Sequence, residues 1–144
     1  MDKEFIPYEE ALALKELGFD FKCIKGFYDE SIIHTVVSTP VDFNNKSSLG
    51  QLVSCPLYQQ AFRWFREKHG LEIVLRPDSI NHESKRLREY VIISYDKSWK
   101  LEPIAEPHNW IRKGCFSNHE EAELECLKKL IEVCQTEQKR KLQE

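Results

Sequence analysis

Three stretches of this chain place apolar residues at helical spacing, and shorter runs rich in β-branched and aromatic residues lie between them. Over residues 7–17, Tyr8 and Leu12 pair at i,i+4 while Ala11, Leu14 and Leu17 recur at i,i+3, and Gly18 follows as a stop. Over residues 54–71, Tyr58, Ala61, Phe62 and Phe65 share a face, with Arg63, Arg66 and Glu67 largely on another. Ser54 is the expected cap of that helix, Pro56 suits its first turn, and Gly70 suits the left-handed position past its end. The spacing of Ser117 to Glu120 reads as a capping box that opens a third helix near Asn118. There Ala122, Cys126 and Leu130 form one ridge and Leu124, Leu127, Ile131 and Cys134 its neighbour. Glu120, Glu121 and Glu123 sit at the positive end of the helix dipole, and Lys139, Arg140 and Lys141 at the negative end.

The strand signals are runs rich in β-branched and aromatic residues. Residues 21–28 and 31–38 flank Asp29 and Glu30 as a hairpin, although that turn lacks the favoured glycine. Residues 39–51, with Pro40, Asn44, Asn45, Ser47, Ser48 and Gly50, read as a loop. Residues 71–75 form a short strand cut by Arg76, Pro77 and Asp78, and residues 80–88 form an exposed basic loop. The run Val91, Ile92, Ile93 marks residues 89–95 as a central strand buried on both faces. A third strand is expected over residues 99–104, demoted to an edge by Pro103 and Pro107, with Trp110 in the loop after it. The order α-β-β-α-β-β-β-α predicts an α+β fold, a largely antiparallel sheet with about three helices packed on it. One domain over residues 1–136 is expected, followed by a frayed charged tail over 137–144.

Composition narrows the functional classes. At 144 residues, 41% hydrophobic and 31% charged, the chain has enough apolar content for one core. A formal charge of -3 supplies no global attraction to nucleic acid or to an anionic membrane. Five scattered cysteines, Cys23, Cys55, Cys115, Cys126 and Cys134, lack the spacing of a disulfide or zinc framework and fit a reducing cytoplasm. No apolar run has the length of a signal peptide or membrane span, so a cytoplasmic protein is expected.

Three blocks carry a resemblance. Residues 9–20, with Leu12, Leu14, Leu17, Gly18 and Phe19, residues 56–71, with Tyr58, Gln59, Gln60, Phe62, Trp64 and Gly70, and residues 120–132, with Ala122, Leu127 and Ile131, resemble a family of short uncharacterised proteins carried by phages and mobile elements of Bacteroidetes-type bacteria. The middle block is the most specific of the three. The resemblance implies a setting, the cytoplasm of a bacterial host, and no functional residues.

From Pro56 onward the element order is similar to that of a double-stranded-RNA-binding domain. Such a domain presents cations at the start of its last helix, whereas Glu120, Glu121 and Glu123 would repel phosphate there, so the likeness is one of order alone. The better basic patch is Lys85, Arg86 and Arg88 with His82, to be joined in space by Arg63, Arg66, Arg76 or Lys97 and by the rings of Tyr90, Trp99 or Trp110 for single strands. Cys115 and His119 stand four apart but make a poor metal pair, and no metal or cofactor is expected. His34 beside Asp42 or Glu30 would make a general base, yet a strand histidine is more often structural. No phosphate loop, nucleophile elbow or metalloprotease helix is present, and a non-enzyme is expected.

Protein binding is the class that the residues favour. Arg63, Trp64 and Arg66 on the middle helix, or a Trp110 loop with Ile111 and Phe116 around it, have the composition of an interface centre unless both indoles close the core. The expectation is a phage or mobile-element accessory protein that binds a host or phage protein, as a monomer or a homodimer. The alternative is a nucleic-acid module built on Lys85, Arg86 and Arg88.

Overall fold

Among the described residues, two three-stranded antiparallel sheets and three α-helices make up an α+β fold. The computed structural model describes residues 2–28, 31–33, 52–77, 87–94 and 110–143. Its elements are α1 (Tyr8–Leu17), β1 (Lys25–Tyr28), β2 (Ser31–Ile33), β3 (Leu52–Cys55), α2 (Tyr58–His69), β4 (Leu71–Pro77), β5 (Arg88–Ser94), β6 (Trp110–Phe116) and α3 (His119–Leu142). The chain divides into two compact units, Met1–Trp64 with Cys134–Glu144, and Phe65–Val133.

In the first unit the sheet order is β2-β1-β3. Tyr28 pairs with Ser31, which is the register of a hairpin closed by two residues, as the sequence predicts. The strand β3 is additional to the expected elements. It contains Ser54, which is buried and paired with Gly26, so this serine is a sheet residue and not a helix cap. The start of α2 is secured instead by Gln60, whose side-chain oxygen accepts the Leu57 N–H (3.0 Å) while its amide donates to the Lys22 carbonyl (3.1 Å).

The end of α1 follows from Gly18, which takes φ +98. Its N–H donates to the Lys15 carbonyl and the Phe19 N–H to the Leu14 carbonyl, at 3.0 and 2.9 Å, a Schellman closure. The closure swings Phe19 into the core, where its ring meets Trp64 edge-on with centroids 5.6 Å apart. The segment ahead of α1 is tied to the other side of the unit by the Ile6 N–H, which donates to the Pro56 carbonyl (3.0 Å).

In the second unit the order is β4-β5-β6. β5 is the central strand, and Glu89, Tyr90, Val91 and Ile92 along it are all buried. β4 runs through Arg76 to Pro77, two residues further than the sequence suggests, because a proline that ends an edge strand removes no needed donor. The third strand is Trp110–Phe116, so Trp110 belongs to a sheet and not to a loop. The strand expected over 99–104, the loop expected over 39–51, residues 80–86 of the loop expected over 80–88, and His34, Asp42 and Glu30 lie outside the described residues, while Arg88 at the end of that loop belongs to β5.

α3 begins one residue later than the expected capping box. Asn118 is the cap, its Oδ1 accepting the Glu121 N–H (2.8 Å), and Glu121 reaches back to the N–H and hydroxyl of Ser117. Those two bonds hold the Glu121 carboxyl below its usual range. The helix continues to Leu142, where the sequence suggests fraying from 137, and an Arg140 to Glu137 ion pair (2.6 Å) with the basic last turn favours it. Ala122, Cys126, Leu127, Leu130, Ile131 and Cys134 are buried in one chain, so the breadth of the apolar stripe is absorbed without a second copy.

Replacing Gly18 with alanine places a Cβ on a left-handed residue, and a loss of about 1 kcal/mol is expected in the urea midpoint.

Candidate functional site

The chemistry-bearing cluster of the second unit forms around Glu89. Its side chain is 0% exposed, at the centre of a three-stranded sheet. In the β4 to β5 register Arg76 stands directly opposite it, and the Arg76 Nε donates to Oε1 at 2.5 Å. On the other side Arg112 pairs with Val91 and reaches diagonally along the sheet. Its Nε donates to Oε2 (2.6 Å) and its Nη2 to Oε1 (3.2 Å).

A bulge makes the diagonal contact feasible. Arg88 pairs with Phe116 and Tyr90 with Lys113, so Gly114 and Cys115 together face Glu89 alone. Gly114 brings no side chain to compete with Arg112 for that place. Cys115 takes φ 69, a conformation seldom adopted by a residue with a Cβ, and the extra residue also brings Phe116 back to stack on Tyr90 with centroids 5.7 Å apart.

Burial by itself raises the Glu89 pKa. The hydrogen bonds from Arg112 and Arg76, with the charges of the same guanidiniums, outweigh that effect and hold the carboxyl below its usual range. The cluster therefore contains an ionised carboxylate held between two guanidiniums. Arg76 is 43% exposed and Arg112 22%, so both cations reach the surface from a buried anchor.

Register also assigns the neighbours. Glu72, Val74 and Arg76 of β4, Glu89, Val91 and Ile93 of β5, and Trp110 and Arg112 of β6 share one face. Val74 is 37% exposed, and Glu72, Ile93 and Trp110 are half-buried. The opposite face carries Leu71, Tyr90, Ile92 and Ile111, all buried. There, a groove of about 330 Å³ runs between β5, β6 and α3, lined by Tyr90, Ile111 and Lys113 with Glu125, Lys128, Lys129 and Glu132. Its charges are mostly paired with each other, Lys128 with Glu125 (3.4 Å) and Lys129 with Glu132 (3.3 Å).

The residues singled out from sequence separate in space. Trp64 is 2% exposed and packs on Phe19, so it cannot be the centre of a docking surface. Arg63 and Arg66 are exposed on α2 without that indole between them at the surface. Trp110 lies in the sheet, two residues from Arg112 on the same face. Of the basic set, Arg88 is a half-buried residue of β5, while Lys85 and Arg86 lie outside the described residues. Arg76 was placed in sequence as a helper to that patch, and Glu89 and Arg112 were not singled out. The available signal was a carboxylate opening a run of buried strand residues, Tyr90, Val91 and Ile92, where an ionised side chain needs a partner.

The cysteines are packing residues for the most part. Burial pushes the thiols of Cys23, Cys55 and Cys134 up to about 12, and that of Cys126 up as well, so they stay protonated at neutral pH. Cys115 is exposed, and His119 faces Glu123 at 3.5 Å. Among the described residues no group of three His, Cys, Asp or Glu side chains converges as a metal site would require. Among them too, no helix is long and apolar enough to cross a membrane. No protein-family model, curated protein or solved structure matches this chain.

Two measurements check this account. Trp64→Ala should lower stability by about 3 to 5 kcal/mol in urea unfolding, the cost of emptying a large core site. Glu89→Gln should cost about 3 kcal/mol at pH 7, since it leaves two guanidiniums without their anchor. The folded-state pKa of Glu89 lies below the unfolded value of about 4.3. Its stabilisation is therefore fully present above pH 4.3 and is lost as pH falls through the folded value. Urea midpoints between pH 6 and pH 2 should converge for wild type and variant at the acid end.

Proposed function

We propose that this protein is a non-catalytic binding protein that engages a protein partner through the face of the β4-β5-β6 sheet that carries Val74, Arg76, Trp110 and Arg112. One observation carries the reading: a half-buried tryptophan, an exposed valine and two anchored arginines lie side by side on a single rigid face. Tryptophan and arginine are the residues that most often dominate binding energy, and residues held by a sheet are already in place before the partner arrives. The sequence expectation of a binding surface with Trp110 in it is kept, with Arg76 and Arg112 in the places first given to Arg63, Trp64 and Arg66.

The biological setting comes from the resemblance of the three blocks alone. It is a small accessory protein of a phage or mobile element, acting in the cytoplasm of a bacterial host on a host or phage protein. The nucleic-acid alternative draws little support, since among the described residues Arg88 is part of the central strand, and the full chain has a net charge of -3.

Immobilised protein should retain a saturable partner from a bacterial lysate. Trp110→Ala or Val74→Glu should weaken retention by about 2 kcal/mol with the urea midpoint largely kept, whereas unchanged retention by both variants would remove this face from consideration.

A further inference from the structure

The strand edges of this protein differ in how they are protected against pairing with another chain. β2 and β3 are only three and four residues long, and β6 carries the bulge at Gly114 and Cys115, which breaks the ladder on which a further strand would form. β4 has neither protection. Over its seven residues the register with β5 is unbroken, and among the described residues no strand pairs with its other side. Its apolar side chains are incompletely covered on both faces of the sheet, with Val74 37% exposed on one and Ile73 and Leu75 half-buried on the other.

The strand is also complementary to itself. Glu72 and Arg76 stand two positions to either side of Val74, and Ile73 and Leu75 stand one position to either side. We propose that β4 is a dimer edge, at which two copies of this chain pair β4 with β4, antiparallel, about a two-fold axis at Val74, so that their sheets become continuous. Glu72 then lies opposite Arg76 of the second copy and Ile73 opposite Leu75, and the symmetry repeats each contact on the other side of the axis. Moving the axis by one residue sets Glu72 or Arg76 opposite Val74 and loses both ion pairs, so the charges select one register. Arg76 gives its Nε to Glu89 across the strand on β5, and the terminal amino groups of its fork supply the second copy's Glu72 on the other side. An unrelated extended segment would use the same backbone groups, but residues 72–76 are matched in order by the strand itself. Pairing runs in the plane of the sheet and does not depend on the reading that a face of this sheet binds a protein. One strand per copy is a small interface, so the expected dimer is reversible.

Sedimentation equilibrium of the full chain should give a mass that rises with concentration from one copy toward two. Glu72→Arg sets arginine opposite Arg76 on both sides of the axis and should raise the dissociation constant about tenfold, with the circular-dichroism spectrum of wild type. Arg76 itself is left intact because it also holds Glu89. In glutathione disulfide, Val74→Cys should link to Val74→Cys of a second copy, two thiols becoming one disulfide as glutathione disulfide is reduced to glutathione. Leu75→Cys, which faces Ile73 of the second copy, should not link, and the wild-type chain controls for links through the exposed Cys115. Should Glu72→Arg fail to fold, the two cysteine variants decide. A wild-type mass that stays at one copy up to the solubility limit, a dimer indifferent to Glu72→Arg, or linking no greater at 74 than at 75 would each overturn the β4 pairing.

Discussion

An ionised carboxylate with no exposure to water is the constraint around which the second sheet is organised. Glu89 must find both guanidiniums, and it finds them on different strands, one directly opposite and one diagonal. A slip of β4 by one residue would bring Leu75 or Pro77 to Arg76's place and leave the charge half-paired in a dry site. Register here is thus held by a penalty on error as much as by the apolar run Val91, Ile92, Ile93. The bulge at Gly114 and Cys115 belongs to the same solution, since it reconciles the reach of Arg112 with the return of Phe116 to Tyr90.

The first sheet reaches definition by other means. Its strands are only three or four residues long, too short for pairing alone to be strong. Helix ends and aromatic edges reinforce it. The left-handed turn at Gly18 directs Phe19 onto Trp64, Tyr8 meets Phe27 edge-on at 5.3 Å, and Lys25 lies 4.0 Å from the Phe5 ring centroid. Local closure with directional ring contacts does for this unit what a buried charge does for the other.

How much of this was legible in the chain depended on the range of the interaction. α1, α2 and α3, the hairpin register and the central β5 follow from periodicity and stop signals within a dozen residues, and they were readable. β3 was not, because four residues followed at once by Pro56 read as the approach to a helix, with Ser54 as its cap. β6 was missed because Gly114 and the bulge break the alternation that marks a strand. The capping motif of α3 was displaced by one position, since Ser117 and Asn118 are both competent caps and only geometry chooses between them. The triad was the least legible feature of all. Arg76 and Arg112 lie 13 and 23 residues from Glu89, and only a non-local register joins them. Trp64, which the helical wheel placed on a flank, is covered by a phenylalanine that arrives from a distant turn.

The division of α3 between the units makes their contacts differ in range. Residues 65–133 form a continuous stretch, so the second unit closes through contacts within one run of chain. The first unit joins residues up to Trp64 to those from Cys134 onward, so its completion requires closing a loop as long as the whole second unit. Ordering that loop first, by folding residues 65–133, brings the two parts of the first unit's sequence within a shorter effective separation.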